Sequence, residues 1–490
     1  MRRFPPALLV IGILPLVLPV LPPASGSSLA CTVRGTPGKD VLVGTAGPDV
    51  LCGYGGNDVL RGRGGNDVLR GGAGNDELSG GGGADSLFPG TGANAVQGGE
   101  GRDSLRYDDL ASGSVAVDLV AGTTTRAATD SLGGVEVVIG TAGNDRIEGN
   151  AGGQRFEGRG GDDVLLGGND GDQLLGGEGN DTIRPGRGDD LANGGPGTDL
   201  LSYQDVVGIG VAVAVDLAAA TSSGEKTGED SVPSFENLIG TRGWDVLQGT
   251  DGPNMINGNQ GSDSIHPRLG DDEIFGGGSY RGREGEYLGD ILDYSDVTTT
   301  GITLNLVTGM VTGPGSTTIH AIDNVVATDQ DDVVFNGGDG WRFIDTGGGD
   351  DVITGRLVCG YYALGDGDDV AHPGALSGCG DTMASVYGGA GVDTVSYAGT
   401  PDPLMVQPEY LGWGVGLIDD YVSVYLDAVE TFVATGHADV LAGGLGDRKV
   451  RIDGGGGLDD IDTTDGFGAD VIDADVGSSC AGDPGDTISC

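Results

Sequence analysis

Aromatic side chains make up only 5% of this 490-residue chain, which excludes the large aromatic core that an ordinary chain of this length would build. Histidine occurs four times, at His266, His320, His372 and His437, and the sequence contains no H-E-x-x-H, no G-x-S-x-G and no phosphate loop ending in Gly-Lys-Ser/Thr. The settings that metalloprotease, nucleophilic or phosphate chemistry require are therefore missing. Gly38-Lys39 runs into Asp40, and His266 and His372 precede prolines, so turn positions account for them. Basic residues are few, 25 against 74 acidic, for a formal charge of −49. Such a surface repels nucleic acid and anionic lipid and attracts cations.

Long apolar runs are confined to the first residues. Met1-Arg2-Arg3, the apolar stretch Ala7 to Leu21 and the small residues Ala24, Ser25 and Gly26 have the layout of a secretory leader covering 1–26. Pro15 and Pro19 and the shortness of the stretch argue against a membrane span, and the expected location is extracellular. The six cysteines lie as close pairs, Cys31 with Cys52, Cys359 with Cys379 and Cys480 with Cys490. Local disulfides are the expectation for an exported chain, with free buried thiols as the alternative.

Glycine is what the chain does have, 101 residues of it, without the three-residue period of collagen. Its distribution has a phase. Asp40, Asp49, Asp58, Asp67, Asp76, Asp85, Asn94 and Asp103 follow one another at a spacing of nine, which a disordered acidic linker does not require. Each unit approximates G-G-x-G-x-D-x-U-x with U apolar, as in Gly71 to Ser79, and Leu42, Leu51, Leu60, Leu69, Leu78, Leu87, Val96 and Leu105 hold the U place. A second run carries Asp145, Gln154, Asp163, Asp172, Asp181, Asp190 and Asp199 at the sixth place, and a third carries Asp245, Asn254, Asp263 and Asp272. Looser copies contain Asp332, Asp351, Asp369, Asp393, Asp439 and Asp459.

Tyr107, Tyr203, Tyr294 and Tyr397 each close a run. Alternating segments such as Val115 to Leu119, Val213 to Leu217 and Ile302 to Leu306 follow, and their period of two predicts strands. Further apolar segments, Val135 to Ile139, Phe235 to Ile239, Ile322 to Val326 and Val429 to Val433, lead into the next run. The chain divides into repeat blocks at 35–106, 140–202, 240–293 (with an insertion) and 327–396, β connectors at 107–139, 203–239, 294–326 and 397–433, and degenerate repeats with a cap at 434–490. About four modules of roughly 95 residues result.

A nonapeptide provides a six-residue turn and a three-residue strand, too short to stand alone. If consecutive strands fall in two facing sheets, a coil takes eighteen residues, and turns on one edge come from alternate units stacked about 4.8 Å apart. Glycines at the first, second and fourth places permit positive φ and close approach of carbonyl oxygens. Carboxylate and carbonyl oxygens are the ligands Ca²⁺ takes in groups of six to eight at about 2.3–2.6 Å, so one turn is insufficient and two stacked turns share an ion. Asp58 then neighbours Asp76, Asp67 neighbours Asp85, Asp163 neighbours Asp181, and Asp172 neighbours Asp190. Sites next to Asn94, Gln154 and Asn254 are expected to be weak or empty. The sixth-place aspartates named above, from Asp40 to Asp459 with the exception of Asp332, are the candidate ligands; no catalytic or other cofactor site is assigned.

The units resemble the RTX, or haemolysin-type, calcium-binding repeat of secreted bacterial proteins, residue by residue from Gly35 to Arg106 and from Gly140 to Ser202. The resemblance implies an all-β fold of right-handed parallel β-roll blocks, several bound Ca²⁺ ions and calcium-dependent folding after export. Many members carry a catalytic or pore-forming domain ahead of the repeats and a C-terminal secretion signal. Here the leader pattern is N-terminal, and toxin activity is not carried over.

The expectation is a calcium-binding structural protein without catalysis. The acid pairs Asp162-Asp163, Asp189-Asp190 and Asp271-Asp272 fill the fifth and sixth places of units, and nothing singles out one pair as the separated carboxylates of a hydrolase. An adhesin that presents irregular segments, Gly276 to Gly289 and Pro401 to Tyr425, to a cell-surface glycan or protein is the alternative. An undetected secreted hydrolase is a third reading.

Overall fold

A computed structural model describes residues 30–490 except 111–112, 209, 280–288, 338–341, 356–359, 374–383, 399–403, 407–421, 428–430, 435–439, 443–450, 456–459, 463–470, 475–477 and 483–485. Among the described residues every element is a strand, and none is a helix able to cross a membrane. Nearly all strands belong to two long sheets of 24 and 25 strands with predominantly parallel pairing.

Consecutive strands alternate between the two sheets. Val41–Val43 pairs with Val59–Gly64 in one, and Val50–Gly55 pairs with Val68–Ala73 in the other. The register places Leu42 against Leu60 and Leu51 against Leu69, so one coil takes the expected eighteen residues. All eight U residues of the first run are buried, seven of them completely. Most of their neighbours along the strands are not buried, as at Val41 and Val43, although Val50, Cys52 and Phe88 are buried too, and the core is a file of apolar side chains between two sheets. This is a parallel β-roll.

The strands are longer than the three residues expected. Val59–Gly64 and Glu77–Gly82 extend through the first turn glycines, because Arg63 and Gly81 continue the parallel register. The connectors carry the same roll onward. Ser104–Arg106 pairs directly with Val137–Ile139 in one sheet. In the other, Ala116–Asp118, Thr123–Thr125 and Thr129–Gly133 form an antiparallel excursion whose first strand stacks on Arg146–Glu148 and whose last stacks on Ala95–Glu100. The same three-strand excursion recurs at Ala214–Asp216, Thr221–Gly224 and Gly228–Ser231, and at Thr303–Asn305, Met310–Thr312 and Ser316–His320.

A buried tyrosine precedes each excursion, and in the first two its hydroxyl anchors the excursion. Tyr107, Tyr203 and Tyr294 are fully buried, as is Tyr397. Tyr107 donates to Asp130 Oδ2 at 2.9 Å, and Tyr203 donates to Asp230 Oδ2 at 2.6 Å. Disulfides join Cys31 to Cys52 and Cys480 to Cys490; Cys359 and Cys379 lie outside the described residues.

Candidate metal centres on the turns

The sixth residue of each unit stands where a strand begins, on the edge between the sheets. Its backbone carbonyl accepts from the strand of the next coil, as Asp58 does from the amide of Glu77 at 2.8 Å. Its side chain points back along the stack. Asp76 Oδ1 accepts the backbone amide of Asp58 at 2.8 Å, Asp85 that of Asp67 at 2.8 Å, Asp181 that of Asp163 at 2.8 Å, and Asp190 that of Asp172 at 2.7 Å. The four neighbour pairs read from the spacing are therefore consecutive rungs of two ladders, one on each edge.

Only one carboxylate oxygen is used in this way. Oδ2 is buried and has no hydrogen-bond partner at Asp58, Asp67, Asp76, Asp85, Asp103, Asp163, Asp172, Asp181, Asp190, Asp199, Asp263, Asp290, Asp351 and Asp369. A buried carboxylate oxygen without a partner is costly, and its recurrence on coil after coil calls for a common cause.

The first glycine of each unit identifies what these oxygens face. A Cβ at Gly71 would lie 2.6 Å from Asp76 Oδ2 and 2.6 Å from the carbonyl oxygen of Pro89 on the next coil. At Gly53, Gly62, Gly80, Gly158, Gly176 and Gly258 the same two atoms, the unit's own Oδ2 and the carbonyl of the residue eighteen places on, crowd the same point. First-place glycines such as Gly53, Gly62 and Gly71 do not have positive φ; the second and fourth places do, as at Gly72 (φ 98°) and Gly74 (φ 136°). The expectation of positive φ at the first place is thus corrected. Glycine stands there to leave room for converging oxygens.

Carboxylate and carbonyl oxygens that converge without a donor hydrogen match the hard donor set of Ca²⁺. Among the described residues no group of three His, Cys, Asp or Glu side chains gathers as a potential metal site, and the oxygens found beside each Oδ2 are backbone carbonyls. Electrostatics agrees. Burial pushes the carboxyl of Asp163 up to about 8, helped by the charges of Asp145 and Asp181, although the Asp145 amide opposes the shift. Burial likewise raises Asp190, Asp263 and Asp351 to about 8, and Asp172 and Asp272 to about 7. A cation is needed to keep such groups ionised together at neutral pH.

The remaining candidate positions fall in three groups. Oδ2 of Asp40, Asp49, Asp145 and Asp245 accepts hydrogen bonds within its own turn, and Asp272 Oδ2 accepts from Thr317 at 3.4 Å. Asp393 Oδ1 takes the amide of Asp369 at 3.1 Å. Asp439 and Asp459 lie outside the described residues. The neutral positions bring their own donors: Asn94 Nδ2 donates to Asp130 Oδ1 at 3.1 Å, Gln154 Nε2 to Asn150 Oδ1 at 2.6 Å, and Asn254 Nδ2 to the Glu236 carbonyl at 2.7 Å.

Several ladder members escaped the nine-residue reading. Asp130 and Asp230 accept the amides of Asn94 and Asp190 from within the excursions, and Asp290 accepts that of Asp263 across 27 residues. Glu136 and Glu236 end two ladders by accepting the amides of Asp103 and Asp199. A signal for the last two was present, since Val135-Glu136 and Phe235-Glu236 occupy the same place in successive connectors. Among the described residues the histidines do not gather into a metal site: His266 lies 3.7 Å from Asp293, and His320 stacks on Phe275.

The family model of the RTX calcium-binding nonapeptide repeat matches residues 34–69, 53–87, 61–96, 131–165, 148–183, 166–201 and 239–274. No curated protein matches the chain. The matched segments coincide with the stacked turns whose aspartates form the ladders, and over these segments the chain is similar to the RTX calcium-binding nonapeptide repeat.

Proposed function

We propose that the chain is a secreted structural protein whose roll is assembled by Ca²⁺ held between stacked turns, with the aspartates whose Oδ2 is buried and unpartnered as its carboxylate ligands. The observation that carries this reading is the repetition of that oxygen beside a carbonyl of the next coil. When bound, calcium supplies the positive charge that offsets the carboxylates.

The residues do the rest. The ladder of backbone amides on Oδ1 fixes each carboxylate's rotation, so that Oδ2 is presented without a search. The first-place glycine keeps the space open. The core file buries about one apolar side chain per unit, which is little against the ordering entropy of a glycine-rich chain. Metal binding that requires the stacked turns then contributes its free energy to folding. Affinity of about 10⁻⁴–10⁻³ M, usual for extracellular modules, would leave the chain unfolded at cytoplasmic calcium and folded outside. The disulfides Cys31–Cys52 and Cys480–Cys490 suit an oxidising compartment, and the leader pattern of residues 1–26 supports export.

The test is a calcium titration of the full chain followed by far-UV circular dichroism, with magnesium as control. A cooperative gain of β signal with calcium and not with magnesium is expected. A spectrum that stays disordered through 10 mM calcium, well above the roughly 10⁻³ M expected, would falsify the reading.

A further inference from the structure

Not all turns are alike, and the difference lies at their second residue. Around Asp58, Asp67, Asp76 and Asp85 the second and fourth residues adopt positive φ: Tyr54 (72°) and Gly56 (105°), Arg63 (81°) and Gly65 (95°), Gly72 and Gly74, Gly81 (116°) and Gly83 (123°). In the turns headed by Gly35, Gly44, Gly140, Gly240, Gly249 and Ala327 the second residue is a threonine. Neither the second nor the fourth residue of these six turns has positive φ. A β-branched side chain is poorly suited to that region, so threonine selects a second turn conformation.

The consequence falls on the carboxylate. Thr45 donates its backbone amide at 2.6 Å and its hydroxyl at 2.8 Å to Asp49 Oδ2, and its hydroxyl oxygen accepts the Gly47 amide at 3.1 Å. Thr241 donates its amide to Asp245 Oδ2 at 2.7 Å and its hydroxyl to Oδ1 at 2.8 Å, and accepts from Gly243 at 3.0 Å. Thr141 with Asp145 and Thr328 with Asp332 repeat the pattern. Asp145, Asp245 and Asp332 are as buried as the other ladder aspartates and Asp49 is buried as well, yet their Oδ2 has protein donors. The oxygen left bare in the glycine turns is filled in the threonine turns.

These turns also share a place. Gly35 and Gly44 open the first run on its two edges, Gly140 opens the second, Gly240 and Gly249 open the third, and Ala327 opens the fourth.

We propose that the threonine turns hold no calcium: the threonine amide and hydroxyl take the ion's place on the carboxylate, so that each run starts on at least one metal-independent turn from which the calcium-bearing turns stack. The inference rests on the calcium reading of the glycine turns. It makes the second residue of a unit the determinant of its occupancy and assigns Asp40, Asp49, Asp145, Asp245 and Asp332 a role in closing the turn.

Calcium bound per full chain, counted by equilibrium dialysis at saturating calcium, tests it for wild type, Thr45→Gly and Thr45→Ser. Thr45→Gly restores a Gly-Gly turn against the Gly62 carbonyl, which already lies 2.7 Å from where a Gly44 Cβ would sit, and should bind one more ion. Thr45→Ser keeps both donors and should leave the count unchanged. A folded Thr45→Gly protein with the wild-type count overturns the proposal. Should that variant not fold, the calcium anomalous signal in crystals of the wild-type chain decides: peaks are expected beside Asp67, Asp76 and Asp85 and none within ligand reach of Asp49, Asp145, Asp245 or Asp332. A peak at any of the last four sinks the inference alone, whereas absence of calcium everywhere sinks the reading beneath it.

Discussion

The hydroxyl of Tyr203 donates to Asp230 Oδ2 at 2.6 Å while Oδ1 of the same carboxylate accepts the amide of Asp190 at 2.9 Å. One buried side chain thereby ties the core to the ladder at the point where the chain leaves the regular repeat. Tyr203→Phe keeps the ring and removes the donor, leaving Ser222 as the hydroxyl partner of that oxygen. A loss of about 1–3 kcal/mol is expected, read as a lower urea midpoint at saturating calcium. An unchanged midpoint would show that the hydrogen bond contributes nothing to the anchoring of the excursion.

Asp181 is both acceptor and ligand candidate: Oδ1 takes the amide of Asp163, and Oδ2 is unpartnered. Asp181→Asn preserves the ladder acceptor and replaces the bare oxygen by an amide nitrogen, much as Asn94 does in its own turn. Because affinity follows ligand charge, the calcium needed for half-folding should rise about tenfold or more. A Leu165→Ala change in the fully buried core should cost about 2–5 kcal/mol without altering the number of ions bound, which separates loss of packing from loss of a ligand.

The pH response follows from the same carboxyls. Asp163, Asp190 and Asp351 are raised to about 8 by burial in the folded chain, against about 3.9 for an unfolded aspartate. A raised folded value contributes stability that is fully present below the unfolded value and is lost as pH rises through the folded one. Without calcium the roll should therefore be best populated towards the acid side of the window between about 4 and about 8, and should melt as pH rises across it. Circular dichroism in a chelator at pH 5 and pH 8 reads this directly, and a β signal that grows with pH would contradict it. With calcium the trend reverses, since protons compete for the ligand oxygens.

The eighteen-residue coil, the file of leucines and the pairing of Asp58 with Asp76 were all legible in the sequence because the repeat period and the sheet register are the same fact. The ladder positions of Asp130, Asp230 and Asp290 were not. Their partners lie 36, 40 and 27 residues away, since an antiparallel excursion or an insertion leaves the roll and returns without disturbing the stack. Coils of other lengths persist in the fourth block, where Asp332 reaches Asp351 over 19 residues and Asp369 reaches Asp393 over 24. Spacing records the chain's path, whereas the ladder records its stacking. The threonine turns were hidden for a different reason: they keep the period and change only the donor to a carboxylate.

The first-place glycine gives the sharpest separation of a structural from a metal-binding role. Gly71 has no positive φ, so alanine is conformationally acceptable there, but its Cβ would stand 2.6 Å from both Asp76 Oδ2 and the Pro89 carbonyl. These are the oxygens an ion would bridge. Gly35 offers the matching control: its Cβ would meet Gly53 O at 2.8 Å and Asp40 Oδ2 at 2.9 Å, but Asp40 is already held by Thr36. Both variants should lower stability at saturating calcium, because a backbone carbonyl must shift. Only Gly71→Ala should also reduce the bound calcium, by one ion per chain in equilibrium dialysis, while Gly35→Ala keeps the wild-type count. Equal counts in the two variants would mean that the space beside Gly71 serves backbone packing alone and that the ion draws its oxygens from elsewhere on the turn.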